Sequence, residues 1–313
     1  PPAIVSVFLG SQLTEIFDNI AEGKVSNGIA GGERIRLGVT SLPSLPKDVS
    51  DRNRTSPFAF TGNKFEFRMV GSSQSIATPN TYLNTAVAQV LSEFADKLEK
   101  AADKHAAIQA IIKESYGKHR RVVFNGNNYS EEWVREAERR GLPNVRATVD
   151  ALPVLIQKET IALFETHKVL SREEQESRYH IYLERYSKQI NIEAGVMIEM
   201  ARRSIFPAVS SYASSLARDA AALAALGATS APQEKRAKRI AELASELYEE
   251  TEKLEKVLGD AQAIEDTFTQ AKAYREKVVP QMASLRSKAD ALEKLVAKEV
   301  WPFPGYEELL FKL

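Results

Sequence analysis

The chain has 313 residues, which is long for one hydrophobic core and predicts about two domains. Its 42 Lys and Arg residues balance 42 Asp and Glu residues, so it lacks the summed positive field of most nucleic-acid-binding proteins. Hydrophobic residues make up 43% of the chain, as in ordinary globular proteins, and the absence of Cys excludes disulfides and thiolate metal sites.

The first 20 residues predict a short apolar strand followed by a helix, whose apolar residues are Leu13, Ile16, Phe17 and Ile20. The N-terminal run PPAIVSVFLG has no Met and no charged start, so it does not predict a signal peptide. We expect instead a truncated chain that begins inside a domain. The Gly-rich residues 21–32 predict a loop, residues 32–40 a strand, and the Pro-containing residues after them an extended segment.

The stretch NRTSPFAFTGNKFEFR, residues 53–68, predicts two strands joined by a turn at residues 61–63. Side chains alternate across a strand, so Phe65 and Phe67 share one face and are predicted to enter the core.

The other face of the second strand carries a cation, an anion and a cation: Lys64, Glu66 and Arg68. Their spacing of about 7 Å along the strand predicts that no tight ion pair joins all three. A carboxylate between two cations suits a polyanion and its metal ion, and Arg54 could add a further cation. The alternative is a solvated strand face with alternating charges, which is common in antiparallel sheets.

Helices are predicted over residues 81–103, over 105–117 and after Ser130, which is a good N-cap ahead of EEWVREAERR. From about residue 171 to 298 the pattern is almost purely helical. We therefore divide the chain into a first domain, residues 1–170, and a helical extension, residues 171–313, with a docked aromatic tail WPFPGYEELLF.

Within the extension, the charged residues predict intrahelical pairs from Glu249 to Lys253 and from Glu252 to Lys256. Pro207 and the later Pro280 are predicted to kink or interrupt their helices. One apolar stripe steps by three or four residues, which favours a long antiparallel bundle or coiled coil. Its members are Ile240, Leu243, Leu247, Thr251, Leu254 and Leu258.

Four segments spread over the chain resemble the type III glutamine synthetases: residues 51–80, FNGNNYSEEW, ERYSKQINIEA and WPFPGYEELLF. An Asn-Arg pair, a strand, and then a basic-x-Glu-x-Arg strand is the pattern of that family. The resemblance implies an α+β fold. It would contain the C-terminal part of an antiparallel-sheet catalytic domain, followed by the helical extension.

The resemblance also implies roles for four residues. Glu66 matches the carboxylate that binds the metal ion at the nucleotide phosphates. Arg68 matches the Arg that contacts the substrate carboxylate and the phosphoryl group in flight, and Arg54 matches one that contacts nucleotide phosphates during catalysis. Lys64 stands where many relatives have Arg, so it keeps the charge for the nucleotide but loses the bidentate fork.

The implied activity is the ATP-dependent ligation of ammonia to glutamate through gamma-glutamyl phosphate, with ATP and Mg²⁺ or Mn²⁺ as cofactors. The implied assembly is a homo-oligomer of paired hexameric rings in the cytoplasm, with neither nucleic acid nor membrane as a partner. Further metal ligands and the mobile acidic flap of the family precede the region that resembles this chain, so we expect the chain alone to be inactive. The competing hypothesis is a non-enzymatic helical assembly or scaffold protein.

Overall fold

The computed structural model describes residues 4–24, 54–69, 71 and 74–311, together with the backbone of residues 34–35 and 45–46. The described residues form two compact units. The first contains the residues up to 146 and residues 157–172, and the second contains residues 147–156 and the residues from 173 onward. The domain boundary predicted at residue 170 stays a prediction.

Among the described residues, five short strands lie in the first unit. They are β1 (Val7–Phe8), β2 (Arg34–Ile35), β3 (Leu45–Pro46), β4 (Phe58–Phe60) and β5 (Phe65–Phe67). β4 is the central strand of a three-stranded sheet, antiparallel to β5 and parallel to β1, while β2 and β3 form a separate antiparallel pair. The predicted antiparallel sheet is therefore mixed, because β1 reaches β4 through a long connection that contains a helix rather than through a hairpin.

Helices make up most of the described chain. They are α1 (Ser11–Glu22), α2 (Ala77–Glu99), α3 (Lys104–His119), α4 (Glu131–Arg139), α5 (Thr148–Ala151), α6 (Lys158–Thr166), α7 (Arg172–Met200), α8 (Phe206–Ala225), α9 (Ala231–Gln262), α10 (Thr267–Ala273), α11 (Val279–Glu293) and α12 (Tyr306–Leu310). Among the described residues, no helix is both long enough and apolar enough to cross a membrane.

Helix α4 shows how sequence sets the helix ends in the first unit. The Ser130 hydroxyl accepts a hydrogen bond from the Trp133 backbone N–H at 3.2 Å, which confirms the predicted N-cap. The helix stops at Gly141, whose positive φ of 67° favours a residue without Cβ. Trp133 is buried against Ile4 and stacks on Phe124, so the N-terminal strand and α4 share one small core.

Helix α9 is the central element of the second unit and packs against α8 and α11. All six residues of its predicted apolar stripe are buried in the structure, which confirms the stripe. The fully buried residues Ile240, Leu247, Leu254 and Ala261 recur every seven residues along the helix. Burying this stripe removes apolar surface from water at about 25 cal/mol per Å² and stabilises the unit.

Both predicted helix interruptions take the form of a π-helical turn. Residues Ala201–Ile205 are π-helical just before Pro207, and residues Tyr274–Val278 are π-helical just before Pro280. Proline has no N–H to donate and its ring clashes with the carbonyl four residues earlier, so a wider turn lets the chain pass without breaking.

The aromatic tail differs from the predicted extended segment. Trp301 and Phe303 are half-buried against the core of the second unit. The residues after them form α12, a single helical turn whose N-terminus Gly305 is capped by the Glu308 carboxylate at 2.8 Å. Three of its apolar side chains and Phe311 are well exposed.

Candidate functional site: the charged face of β5

The β4–β5 hairpin positions the predicted site residues. The Thr61 N–H donates to the Lys64 carbonyl at 2.9 Å, and Gly62 adopts a φ of 98° that favours glycine in this turn. At the other end of the hairpin, the Arg68 N–H donates to the Pro57 carbonyl at 2.7 Å. The predicted strand–turn–strand is therefore confirmed.

Lys64, Glu66 and Arg68 form one cluster, which we call the charged trio. Arg68 donates to the Glu66 Oε2 atom from Nη2 at 3.0 Å and from Nε at 3.2 Å. The Lys64 Nζ atom lies 3.5 Å from the other carboxylate oxygen, Oε1. We predicted that no tight ion pair would join all three, yet Glu66 contacts both cations, tightly at Arg68 and more loosely at Lys64, because their long side chains lean along the strand toward it.

Burial increases along the trio from the turn inward. The side chains of Lys64, Glu66 and Arg68 are 66%, 39% and 15% exposed, respectively. Ala59, which pairs with Glu66 across the sheet, is fully buried. Cross-strand partners point to the same face, so this face is covered around Ala59 and open near Lys64.

The two cations keep Glu66 ionised. The Arg68 guanidinium is hydrogen-bonded to the carboxylate and is the largest cause that lowers the Glu66 pKa below its ordinary value, with a smaller contribution from Lys64. Glu66 therefore carries its negative charge throughout the neutral pH range. The trio presents one carboxylate that already lies between two cations.

The opposite face of the hairpin departs from the predicted core. Phe65 is 47% exposed and Phe67 is only half-buried. Phe58 stacks on Phe65 at 5.2 Å between ring centroids, and Phe60 also contacts Phe65. Contacts between its own aromatic rings thus help to stabilise the hairpin.

Arg54 lies outside the charged trio. Its side chain is exposed, and the hydrogen bonds and ion pairs of the described residues do not join it to Glu66 or Arg68. Its backbone φ of 54° is in the left-handed region, which non-glycine residues seldom occupy. The following residue, Thr55, accepts a hydrogen bond from the Asn128 backbone N–H at 3.0 Å.

Two Asn residues that anchor this region were not predicted: FNGNNYSEEW indicated the family resemblance and, at Ser130, an N-cap, but no role for its Asn residues. Asn125 Oδ1 accepts the backbone N–H groups of Leu9 and Gly10 at 3.1 and 3.0 Å, at the start of α1. Asn128 Oδ1 accepts a hydrogen bond from the buried Ser6 hydroxyl at 2.8 Å. Three Asn residues within four positions were the available signal, but their partners are more than 110 residues away in sequence.

Comparison with known proteins shows what the chain is similar to. A family model described as the glutamine synthetase C-terminal domain matches residues 107–224. The type-3 glutamine synthetase of Dictyostelium discoideum is 37% identical over 99% of this chain. The chain is thus similar to a glutamine synthetase over nearly its whole length. Its predicted resemblance to the type III members is thereby confirmed.

Two bacterial relatives extend the comparison. Glutamine synthetases of Bacteroides fragilis and Butyrivibrio fibrisolvens are 35% and 36% identical over 99% and 100% of the chain. The chain spans 43–45% of the length of these three relatives and corresponds to their C-terminal part. The residues matched by the family model begin after the charged trio, so the roles predicted for the trio and Arg54 stay predictions.

Proposed function

We propose that this chain is the C-terminal part of an enzyme that ligates ammonia to glutamate with ATP, through gamma-glutamyl phosphate, in glutamine biosynthesis and nitrogen assimilation. The observation that carries the proposal is the identity of 35–37% to glutamine synthetases over 99–100% of the chain. By 'full-length enzyme' we mean this chain joined to a segment equivalent to the part of its relatives that this chain does not span. We further propose that the enzyme works in the cytoplasm.

The charged trio and Arg54 are proposed to form one wall of the active site. Arg68 is proposed to grip the substrate carboxylate and the transferred phosphoryl group with its planar guanidinium. Arg54 and Lys64 are proposed to contact the ATP phosphates. Both steps of the reaction concentrate negative charge, so positioned cations stabilise the transition state most.

Glu66 is proposed to hold the Mg²⁺ or Mn²⁺ ion that accompanies ATP. Mg²⁺ at a nucleotide usually takes one or two carboxylates and completes its shell with water and phosphate oxygens. Glu66 fits that requirement, because it is ionised and its Oε1 atom is paired with the exposed Lys64 ammonium at 3.5 Å, which a metal ion can replace. When bound, the ion would supply charge neutralisation at the phosphates.

The 313-residue chain alone is proposed not to make glutamine. Among the described residues, no group of three or more Asp, Glu or His side chains could hold a metal ion, and the chain spans less than half of its relatives. The test measures ATP- and ammonia-dependent glutamine formation by the full-length enzyme, the chain alone, and a Glu66→Ala variant of each. The proposal fails if the chain alone makes glutamine faster than its own Glu66→Ala variant, or if the full-length enzyme makes no glutamine.

The second unit is proposed to be an antiparallel helical bundle that serves assembly of paired hexameric rings. The seven-residue recurrence of buried residues in α9 supports coiled-coil-like packing inside it. Ile181, Ile192 and Val196 are about half-exposed on one face of α7, and a second copy of the chain is the proposed cover.

That assembly role can be tested by charge substitution in the full-length enzyme. The double variant Ile181→Glu with Ile192→Glu should give a particle of lower mass by light scattering, because assembly would bury two carboxylates at the proposed contact between copies. Leu226→Glu, at an exposed helix end, is the matched control. An unchanged particle mass in the double variant would remove α7 from the assembly interface.

A further inference from the structure

Arg54 holds a backbone conformation that its own chemistry disfavours. Its φ of 54° brings Cβ close to the following carbonyl oxygen, which costs energy in an L-residue and costs none in glycine, which has no Cβ. Such a conformation persists only where neighbouring contacts fix it, and these positions often serve function. The question is which contacts fix Arg54.

Three segments of the first unit meet beside Arg54. The Asn128 backbone N–H donates to the carbonyl of Thr55, the residue directly after Arg54. The Asn128 side chain in turn accepts the Ser6 hydroxyl at 2.8 Å, and Ser6 precedes strand β1. β1 then pairs with β4, so the segment after Arg54 is held at Thr55 and again at Phe58.

The contact between Ser6 and Asn128 is deeply buried. Ser6 is fully buried and Asn128 is 5% exposed. The remaining amide donor, Asn128 Nδ2, is buried without a hydrogen-bond partner among the described residues. A group kept only for stability would gain from satisfying that donor. Asn128 is therefore placed so that its Oδ1 and its backbone N–H form hydrogen bonds, while its Nδ2 forms none with the described residues.

We propose that Ser6 and Asn128 are positioning residues that fix Arg54 in its left-handed conformation and so aim its guanidinium at the ATP phosphates. This inference rests on the proposed function, because it needs Arg54 to contact the nucleotide. Ser6 and Asn128 do not themselves touch the substrate. They act by holding the backbone of Thr55 against β1 and the loop before α4.

A double-mutant cycle in the full-length enzyme tests the proposal. The variants are Ser6→Ala, Arg54→Ala and the two combined, with Asn128→Ala as a second way to break the same contact. Ser187→Ala is the matched control, since it removes a buried hydroxyl that has no partner among the described residues of the second unit. Each variant is measured by calorimetric binding of Mg·ATP, by the KM for ATP and the kcat, and by a melting curve.

The expected result is that Ser6→Ala weakens Mg·ATP binding by roughly 3- to 10-fold and raises the KM for ATP more than it lowers kcat. In the combined variant, loss of Ser6 should add little to the loss caused by Arg54→Ala, because both act through one guanidinium. The Ser187→Ala control should bind Mg·ATP like the parent.

Two other results would overturn the inference, and they differ. In the first, Arg54→Ala weakens Mg·ATP binding, but Ser6→Ala and Asn128→Ala only lower the melting temperature, or the losses of Mg·ATP affinity multiply in the combined variant. Ser6 and Asn128 then have a structural role only, and the proposed role of Arg54 stands. If Arg54→Ala binds Mg·ATP like the parent, the proposed phosphate contact fails and the positioning role fails with it.

Discussion

The ion pairs of the charged trio lie within one strand region, whereas ion pairs of helix α9 also reach a neighbouring helix. In the trio, Glu66 pairs with Lys64 and Arg68 of its own short strand, and those pairs link no two elements. In the second unit, Glu246 of α9 pairs with Lys288 of α11 at 2.7 Å, and Glu250 of α9 accepts hydrogen bonds from Gln281 and Ser284 of α11 at 2.7 and 2.6 Å. Charges that join two helices contribute to stability, whereas the Glu66 carboxylate can exchange its pairs with Lys64 and Arg68 for a ligand without separating two elements.

The apolar residues of the two regions show the same contrast. The stripe of α9 is buried from Ile240 to Leu258, whereas β5 has an aromatic side chain that is nearly half exposed. The second region is thus built for packing. The first is packed less tightly on the aromatic face, opposite the charged trio, where Phe58 and Phe60 contact the exposed ring of Phe65.

Truncating the two apolar regions should have unequal effects on stability. Leu247→Ala in α9 removes a fully buried side chain and should lower the free energy of unfolding by about 2–5 kcal/mol. Phe65→Ala should cost about 1 kcal/mol, because it loses mainly ring contacts with Phe58 and Phe60. Urea unfolding of both variants measures the difference, and equal losses would contradict the contrast.

Removing the carboxylate of the trio should affect activity rather than stability. Glu66→Ala in the full-length enzyme should reduce turnover by at least about 100-fold, roughly 2.7 kcal/mol, because the proposed metal ligand is lost. The melting temperature should stay close to that of the parent, since the pairs of Glu66 lie within one strand. A near-normal rate at ordinary Mg²⁺ would refute the metal assignment.

Glu250 should behave in the opposite way. The Lys253 ammonium, followed by the Ser284 hydroxyl and the Gln281 amide, lowers the pKa of Glu250 to about 2. Glu250→Gln should therefore lower the free energy of unfolding by about 1–3 kcal/mol at neutral pH without changing turnover. Glu249→Gln, an exposed neighbour, is the control.

The pH dependence of that loss has a definite sign. The pKa of Glu250 is lower in the folded state than its ordinary value of 4.5, so its stabilisation is present above about pH 4.5. It is lost as the pH falls from about 4.5 toward 2. The stability difference between the parent and Glu250→Gln should shrink over that range, and a difference that stays constant would contradict a stabilising role for the ionised Glu250.

Local patterns predicted a large part of the fold. The stripe of α9, the hairpin and the N-cap at Ser130 depend on spacing within a few residues, which a single sequence displays directly. The ion pairs predicted within α9, Glu249 with Lys253 and Glu252 with Lys256, also rest on local spacing alone, and they miss other partners. Lys253 pairs with Glu250 and Glu252 pairs with Arg202, because hydrogen-bonding geometry and packing between helices outweigh the four-residue rule.

The site was predictable in its residue types but not in its arrangement. Spacing along a strand did not reveal that Lys64 and Arg68 would both reach Glu66. The anchoring of Thr55 by Asn128, and of Asn128 by Ser6, joins residues far apart in the chain. Such contacts depend on tertiary packing, which residue patterns in one sequence do not encode locally.

The most direct test replaces Arg68 by Lys in the full-length enzyme and measures steady-state turnover beside a melting curve. Lys keeps the charge but loses the planar fork that grips two oxygens. Our account predicts normal melting with a rate reduced by roughly 10- to 150-fold, the equivalent of about 1.5–3 kcal/mol for one charge-assisted hydrogen bond. A variant that melts normally and turns over within about twofold of the parent, only ~0.4 kcal/mol, would show that the charged trio is a solvated strand face rather than part of an active site.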